Sequence, residues 1–286
     1  MIEGQEGVSW EQWRSLGAAA EDAGLEALFR SDHYRSILRG EPGGALDAWA
    51  TLTALAVTTT RLRLGTLVSP VTFRASSVLA KNAVTVDHVS GGRVELGVGA
   101  GWYEAEHETY GFPFGTARRR FDELDRQLAE IHRQWADGGE AWPKPLQRPR
   151  PPIIVGGTAR PRTVRAAVLF ADEYNTPFPS VDEARERRAL LERTAREAGR
   201  DPLVFSMMGG CVVGRDRGEV RERLRRWQEI TRRAQDEPLL CGTIEEVAER
   251  LRAFERAGVE RAMLQHLAHE DLEMVTLIGD LVVALN

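Results

Sequence analysis

Cysteine is nearly absent from this chain. The two present, Cys211 and Cys241, form neither a CxxC pair nor a metal-ligand spacing. A disulfide framework or thiolate zinc site therefore has no support, and a reduced, cytoplasmic setting is expected. Long apolar runs are missing too: none approaches the roughly 18 residues of a membrane span, so no membrane association is expected. Met1 to Gly7 lack a basic stretch followed by an apolar one, so no signal peptide is expected. Positive charge is not in excess: the formal net charge of -5 argues against a nucleic-acid partner. No HExxH or carboxylate-bridged histidine set occurs among His33, His88, His107, His132, His266 and His269, so no metal is expected. A Gly-x-Ser-x-Gly elbow is also lacking and Cys211 sits in an apolar run, which leaves a nucleophilic hydrolase unsupported.

What is present is apolar material for a core and a regular alternation of elements. With 286 residues, 42% hydrophobic and 28% charged, the chain suits one large α/β barrel or two modest domains. Ser9 to Gln12 has the form of a capping box opening a helix to about Ala23, which Gly24 stops. Leu28 to Arg30 reads as a strand. Asp47 caps a helix through Thr58, Leu62 to Val68 is a strand, 76–89 a helix and Val94 to Val98 a strand. A polar and aromatic loop then leads to a charged helix over about 117–136. Farther on, strands are expected at 153–155, 173–176, 203–213 and 261–267. Helices are expected at 161–171, 182–198, 217–234, 244–257 and 270–285. Strands separated by helices predict a parallel sheet, either a closed eight-stranded barrel or an open doubly wound sheet. Seven strands are legible, and nothing in composition divides the chain. The arginine runs at 118–120 and 221–226 alternate with acids at helical spacing, as solvated helix faces do.

In a parallel barrel the chemistry gathers where strands end. Those ends supply Asp32-His33, Ser69 to Thr72, Gly99 to Trp102, Gly156-Gly157-Thr158, Asn175-Thr176 and Gln265-His266. His33 can titrate near neutral pH, with Asp32 placed to fix its surroundings or raise its pKa, or the pair can simply cap the next segment. Gly156-Gly157-Thr158 lies between strand and helix, where amides, a hydroxyl and a helix N-terminus suit a phosphate, with Arg160 adding charge; a tight turn is the plainer alternative. Gly97, Gly99 and Gly101 have the wrong spacing for a dinucleotide fingerprint, and would instead let a flat ring approach the backbone. Trp102, Tyr103, Tyr110, Phe112 and Phe114 cluster in one insertion and can wall an apolar pocket.

Several segments together resemble the luciferase-like monooxygenase superfamily, in particular its coenzyme F420 (deazaflavin) branch. They are Ser31-Asp32-His33, Leu46 to Trp49, Arg61 to Arg74, Leu79 to Lys81, Asp87 to Arg93, Leu96 to Trp102, Glu106-His107 and Tyr110 to Phe114. Pro151 to Gly157, Ala171 to Asn175, Gly242 to Val247 and Gln265-His266 continue the pattern over nearly the whole chain. The resemblance implies a (β/α)8 TIM barrel over 1–286 with insertion loops at its C-terminal face, where coenzyme F420, or alternatively FMN, is bound. It implies that His33 is the active-site histidine and that Asp32 contacts the cofactor. It places a bulge and a non-proline cis peptide near Leu67-Val68, running into Ser69, behind the ring. Gly101 and Trp102 follow the neighbouring strand, Gly156-Gly157-Thr158 matches the phosphate loop, and Asn175-Thr176 lines the same mouth. A small organic substrate and a homodimer are further implications.

The chain departs from a related sugar-phosphate dehydrogenase. That enzyme has a glutamate proton acceptor where Trp102 stands and a tryptophan near the position of Ile37, and its sugar-phosphate clamp has no counterpart here. Glu106 is the candidate substitute acid. Only Met1-Ile2-Glu3 stands where a full first strand is expected, and the segment around Gly139 is short. Both suggest further residues in the native protein. The expectation is a deazaflavin-dependent hydride-transfer enzyme; an FMN-dependent monooxygenase and a non-catalytic cofactor-binding barrel are the alternatives.

Overall fold

A computed structural model describes residues 1–38 and 44–285. The sheet strands are β1 (Ala27–Arg30), β2 (Arg63–Thr66), β3 (Ser69–Pro70), β4 (Val94–Gly99), β5 (Ile153–Gly156), β6 (Glu173–Pro177), β7 (Val204–Gly214), β8 (Leu240–Thr243) and β9 (Arg261–Gln265). Between them run α1 (Trp10–Asp22), α2 (Ala48–Thr58), α3 (Ser76–Ser90), α4 (Glu104–Tyr110), α5 (Ala117–Trp135), α6 (Pro161–Phe170), α7 (Val181–Glu197), α8 (Arg217–Thr231), α9 (Ile244–Arg256) and α10 (Leu272–Leu285).

Side-chain caps set where several helices begin. Ser9 and Gln12 cap reciprocally at α1, as do Ser180 and Glu183 at α7. Asp47 accepts from the Ala50 amide at α2, and Thr116 from the Arg119 amide at α5. β4 is buried at every residue, on both faces, as a strand inside a parallel barrel is.

All pairings are parallel: β1 with β2, β2 and β3 with β4, then β4–β5, β5–β6, β6–β7 and β7–β9. Ile2 closes the ring, bridging Arg30 on one side and His266 on the other. The Ile2 amide donates to Phe29 O at 2.9 Å, and the His266 amide to Met1 O at 3.0 Å. The Met1–Glu3 segment thus stands between β1 and β9, and the open doubly wound alternative is set aside.

Three elements differ from the sequence reading. The strand expected over Leu62 to Val68 is shorter, β2 covering Arg63–Thr66; the Leu67-Val68 peptide that follows is cis, and Ser69–Pro70 forms a separate β3. The outer half of β7, Cys211 to Gly214, leaves the ring and pairs with β8, a strand the sequence did not disclose. The loop expected after Trp102 contains a helix, α4. At the end of the barrel opposite the strand C-termini, a second cavity of about 840 Å3 separates β1 from β9 beneath Ile2. Among the described residues no helix is long and apolar enough to cross a membrane.

Candidate active site

The strand C-termini open into a cavity of about 790 Å3, within the range of small-molecule sites. Two sectors of its wall differ in chemistry.

The first sector comes from β2 through β7. Leu67 and Val68, joined by the cis peptide, project into the cavity between β2 and β3. Glycines in β4 make room for this bulge: a Cβ on Gly97 would lie 2.0 Å from Thr66 O, and one on Gly99 2.5 Å from Val68 Cγ2. Gly97 and Gly99 therefore accommodate the neighbouring strand. Gly99, Ala100, Gly101 and Trp102 still line the cavity.

Gly156, Gly157 and Thr158 lie at the end of β5, also on the wall. The Gly157 amide is already given to Asn175 O, and the Ala159 amide to the Tyr174 hydroxyl at 2.7 Å. The remaining donors are the Thr158 and Thr163 hydroxyls, the exposed Arg160 guanidinium and the first turn of α6. That turn opens at Pro161 with no side-chain cap hydrogen bond. An uncapped helix N-terminus beside hydroxyls and a guanidinium suits a phosphate, so this donor set fits the phosphate arm shared by both candidate cofactors.

The second sector carries His33, just past β1. Its Nδ1 lies 2.8 Å from Glu106 Oε1, while the Tyr34 amide donates to Glu106 Oε2 at 3.0 Å. Glu106, on α4, is fully buried behind His33 and is absent from the cavity wall. The carboxylate holds the proton on Nδ1 and leaves Nε2 for the cavity that His33 lines. Burial opposes a charge on His33. The Glu106 hydrogen bond and charge, then the charges of Glu3 and Asp32, outweigh it and raise the His33 pKa above the ordinary imidazole value. Trp102 meets the His33 ring edge-on, with centroids 5.8 Å apart.

Several expected residues sit elsewhere. Asp32 does not line the cavity: Arg74 grips its carboxylate with both terminal nitrogens, at 2.6 and 3.2 Å, and Ser69 Oγ donates to it at 2.6 Å. Ser69 is fully buried and also accepts from Trp49 Nε1 at 3.1 Å. Thr176 is likewise buried and takes Arg187 Nη1 at 2.6 Å, whereas its neighbour Asn175 does line the wall. Glu106 is not a substitute acid in the cavity but the support of His33. Tyr110, Phe112 and Phe114 pack with Tyr34, Phe73 and His107; of the expected aromatic wall, Trp102 is the member that reaches the cavity. Sequence reasoning missed Glu3, Gln5, Phe178, Met208 and Trp227 on the wall. Met208 could not be found from strand ends, because β7 runs past the ring by several residues.

A closed parallel barrel with its cavity at the strand C-termini has the arrangement in which TIM-barrel enzymes hold their active sites. The chain belongs to the luciferase-like monooxygenase family, whose model matches residues 2–238. An uncharacterised protein of Mycobacterium tuberculosis is 34% identical over 195 residues, covering 65% of this chain and 66% of that protein. A phthiodiolone/phenolphthiodiolone dimycocerosates ketoreductase of the same organism is 31% identical over 246 residues, covering 74% of this chain and 63% of that protein. This chain thus spans just under two thirds of the length of these relatives. Among solved structures, an F420-dependent secondary alcohol dehydrogenase bound to an F420-acetone adduct superimposes with a TM-score of 0.84 at 19% identity, covering 100% of this chain and 98% of that one. The FMN-bound oxygenating constituent of 3,6-diketocamphane monooxygenase from Pseudomonas putida gives 0.78 at 16% identity, covering 99% and 97%.

Proposed function

We propose that this protein is an oxidoreductase that moves a hydride between coenzyme F420 and a small carbonyl compound or alcohol. The observation that carries the reading is the His33–Glu106 pair: a buried carboxylate fixes Nδ1, so that Nε2 faces a cavity whose other wall suits a ring and a phosphate. When bound, the deazaflavin supplies the hydride chemistry. Thr158, Thr163, Arg160 and the first turn of α6 would hold its phosphate, and Leu67-Val68 would back its ring. His33 Nε2 gives a proton to the substrate oxygen on reduction and takes it back on oxidation, as a general acid and base. Trp102 covers the imidazole from the solvent side and helps keep water from it.

The ketoreductase relative and the alcohol dehydrogenase fold support carbonyl chemistry and the deazaflavin. The phosphate donor set serves FMN equally, and an FMN-bound monooxygenase shares the fold, which supports an FMN-dependent monooxygenase as the second reading. Titrating the protein with each cofactor, followed by fluorescence and absorption, separates the two. Tight FMN binding with none of the deazaflavin overturns the first reading. Binding without any substrate-dependent bleaching, across alcohols and ketones, leaves only a cofactor-binding barrel. His33→Ala lowers turnover at least about a hundredfold, and an unchanged rate rejects the general-acid role. The reading includes a homodimer, for which the exposed Val57 on α2 and Val78 and Val89 on α3 offer apolar surface. Sedimentation as a monomer would remove that part.

A further inference from the structure

The His33 sector contains a second acidic group that the proton chemistry does not use. Ile2 pairs with Arg30 and with His266, so the next residue, Glu3, emerges at the cavity between Ser31 and Gln265. Glu3 is 8% exposed and lines the cavity. No ion pair holds it among the described residues. Two neutral carboxamides do: Gln5 Nε2 donates to Oε2 at 2.8 Å, and Gln265 Nε2 to Oε1 at 2.6 Å. Behind them the Gly4 amide donates to Ser31 Oγ at 3.0 Å, and Ser31 Oγ donates to Gln5 Oε1.

The direction of these bonds sets what the wall can recognise. Each carboxamide spends an N–H on Glu3, and the serine hydroxyl is spent on Gln5. Each carboxamide keeps a second N–H, so the patch can donate as well as accept, and the Glu3 carboxylate gives it a negative charge. The Met1 ammonium, Arg30 and His33 lie near enough to feel its charge, yet none pairs with it directly, so Glu3 favours a ligand that brings a donor and opposes one that brings a second negative charge. The patch flanks β1, on the side of the His33 sector.

We propose that Glu3, held by Gln5 and Gln265, is a specificity-determining residue that admits uncharged or cationic substrates bearing a hydroxyl or ammonium donor and turns away carboxylates and phosphates. The inference rests on the oxidoreductase reading, and it names the class of substrate that reading leaves open.

The test uses cofactor-loaded protein and three probes that share one ring: cyclohexylamine, cyclohexanol and cyclohexanecarboxylate, titrated by calorimetry. The amine and the alcohol are expected to bind at least about tenfold more tightly than the carboxylate, a modest share of what like-charge juxtaposition can cost. Glu3→Gln brings the three within about threefold by removing the charge, and Glu3→Asp keeps the preference. Cofactor affinity is measured first, on each protein. Failure of wild-type protein to bind either cofactor refutes the oxidoreductase reading. Intact cofactor binding with the same probe ratio in Glu3→Gln as in wild type, or with no amine binding, refutes this inference alone. A cofactor affinity that falls in Glu3→Gln while the probe ratio holds assigns the patch to the cofactor's own N–H groups and likewise overturns the proposal.

Discussion

Replacing Glu106 with Gln tests the electrostatic part of the His33 arrangement. The substitution keeps the size of the side chain and one acceptor, which can serve His33 Nδ1, and removes the negative charge 2.8 Å away at the cost of the Tyr34 amide's acceptor. A hydrogen bond to a charged group contributes about 1.5–3 kcal/mol. Both partners are shielded, with side-chain exposures of 13% and 1%, so solvent discounts little of it. At 1.4 kcal/mol per tenfold, losing the charged form of the bond slows the step that needs an oriented, protonated imidazole by about 10- to 100-fold. The sign for pH follows from the same contact. Glu106 is the leading influence that raises the His33 pKa against burial, so without it burial dominates and the value falls. In the reducing direction, where His33 must carry a proton, the rate of the variant should drop at a lower pH than that of the wild type. A pH–rate profile of each protein, with the imidazole C–H resonance titrated in parallel, measures both effects. A variant with wild-type rate and an unmoved imidazole titration would refute the claim that Glu106 acts through His33. Cofactor affinity should be unchanged, because Glu106 does not reach the cavity wall.

Arg74→Ala strands the buried Asp32 carboxylate and should cost about 3–5 kcal/mol in urea denaturation, and a loss below about 1 kcal/mol contradicts the pairing. Gly97→Ala puts a methyl 2.0 Å from the Thr66 carbonyl, which is backbone and has little room to yield. Strain at or above the usual overpacking cost of about 1–3 kcal/mol is expected, together with weaker cofactor binding as the Leu67-Val68 bulge shifts. An alanine variant with wild-type melting and cofactor affinity would place the bulge elsewhere. His266 is buried, and burial pushes its pKa down to about 4 from the ordinary 6.5. Between these values the unfolded chain binds a proton that the folded chain does not, so stability falls as pH drops from about 6.5 to 4, by about 3 kcal/mol in all. His266→Gln should flatten that part of the pH–stability curve, and a curve with the wild-type slope would show that His266 titrates normally.

The parts of this fold that sequence disclosed are those governed by near neighbours. Ser9 and Gln12 are one helical turn apart, and so are Ser180 and Glu183, so caps and helix starts are local facts. The succession of strand and helix follows from local apolar runs, and with it the barrel and the location of its site. What stayed hidden depends on partners far along the chain. Asp32 looks available at a strand end, and Arg74, which occupies it, is 42 residues away. Glu106 looks like a solvated loop residue until the seven-residue α4 brings it 73 residues back to His33. The glycines of β4 suggested an approaching ligand, because nothing local says that Val68 of the adjacent strand fills the space beside Gly99. β8 is only four residues long, contains Gly242 and pairs outside the ring, which leaves little apolar signal to detect.

Asp32 acquires a different importance once it is removed from the cavity wall. It precedes His33 directly in the chain, so holding its carboxylate also holds the backbone that aims the imidazole. Ser69, which donates to that carboxylate, follows Val68 directly, so the same bond ties the far end of the Leu67-Val68 bulge. Trp49 of α2 secures Ser69, and Arg74 closes the set by gripping Asp32 and, at 2.9 Å, Asp47, the cap of α2. One buried network therefore spans the two sectors of the cavity. In the proposed reaction, proton handling and ring seating reside on different strands, and a hydride step needs the reacting groups held to within a fraction of an ångström of each other. Packing alone fixes neighbouring barrel strands less sharply than a buried charged hydrogen-bond set does, since a half-broken network is costly. On the proposed function, Asp32 acts one layer out from the cavity, keeping His33 and the Leu67-Val68 bulge in register.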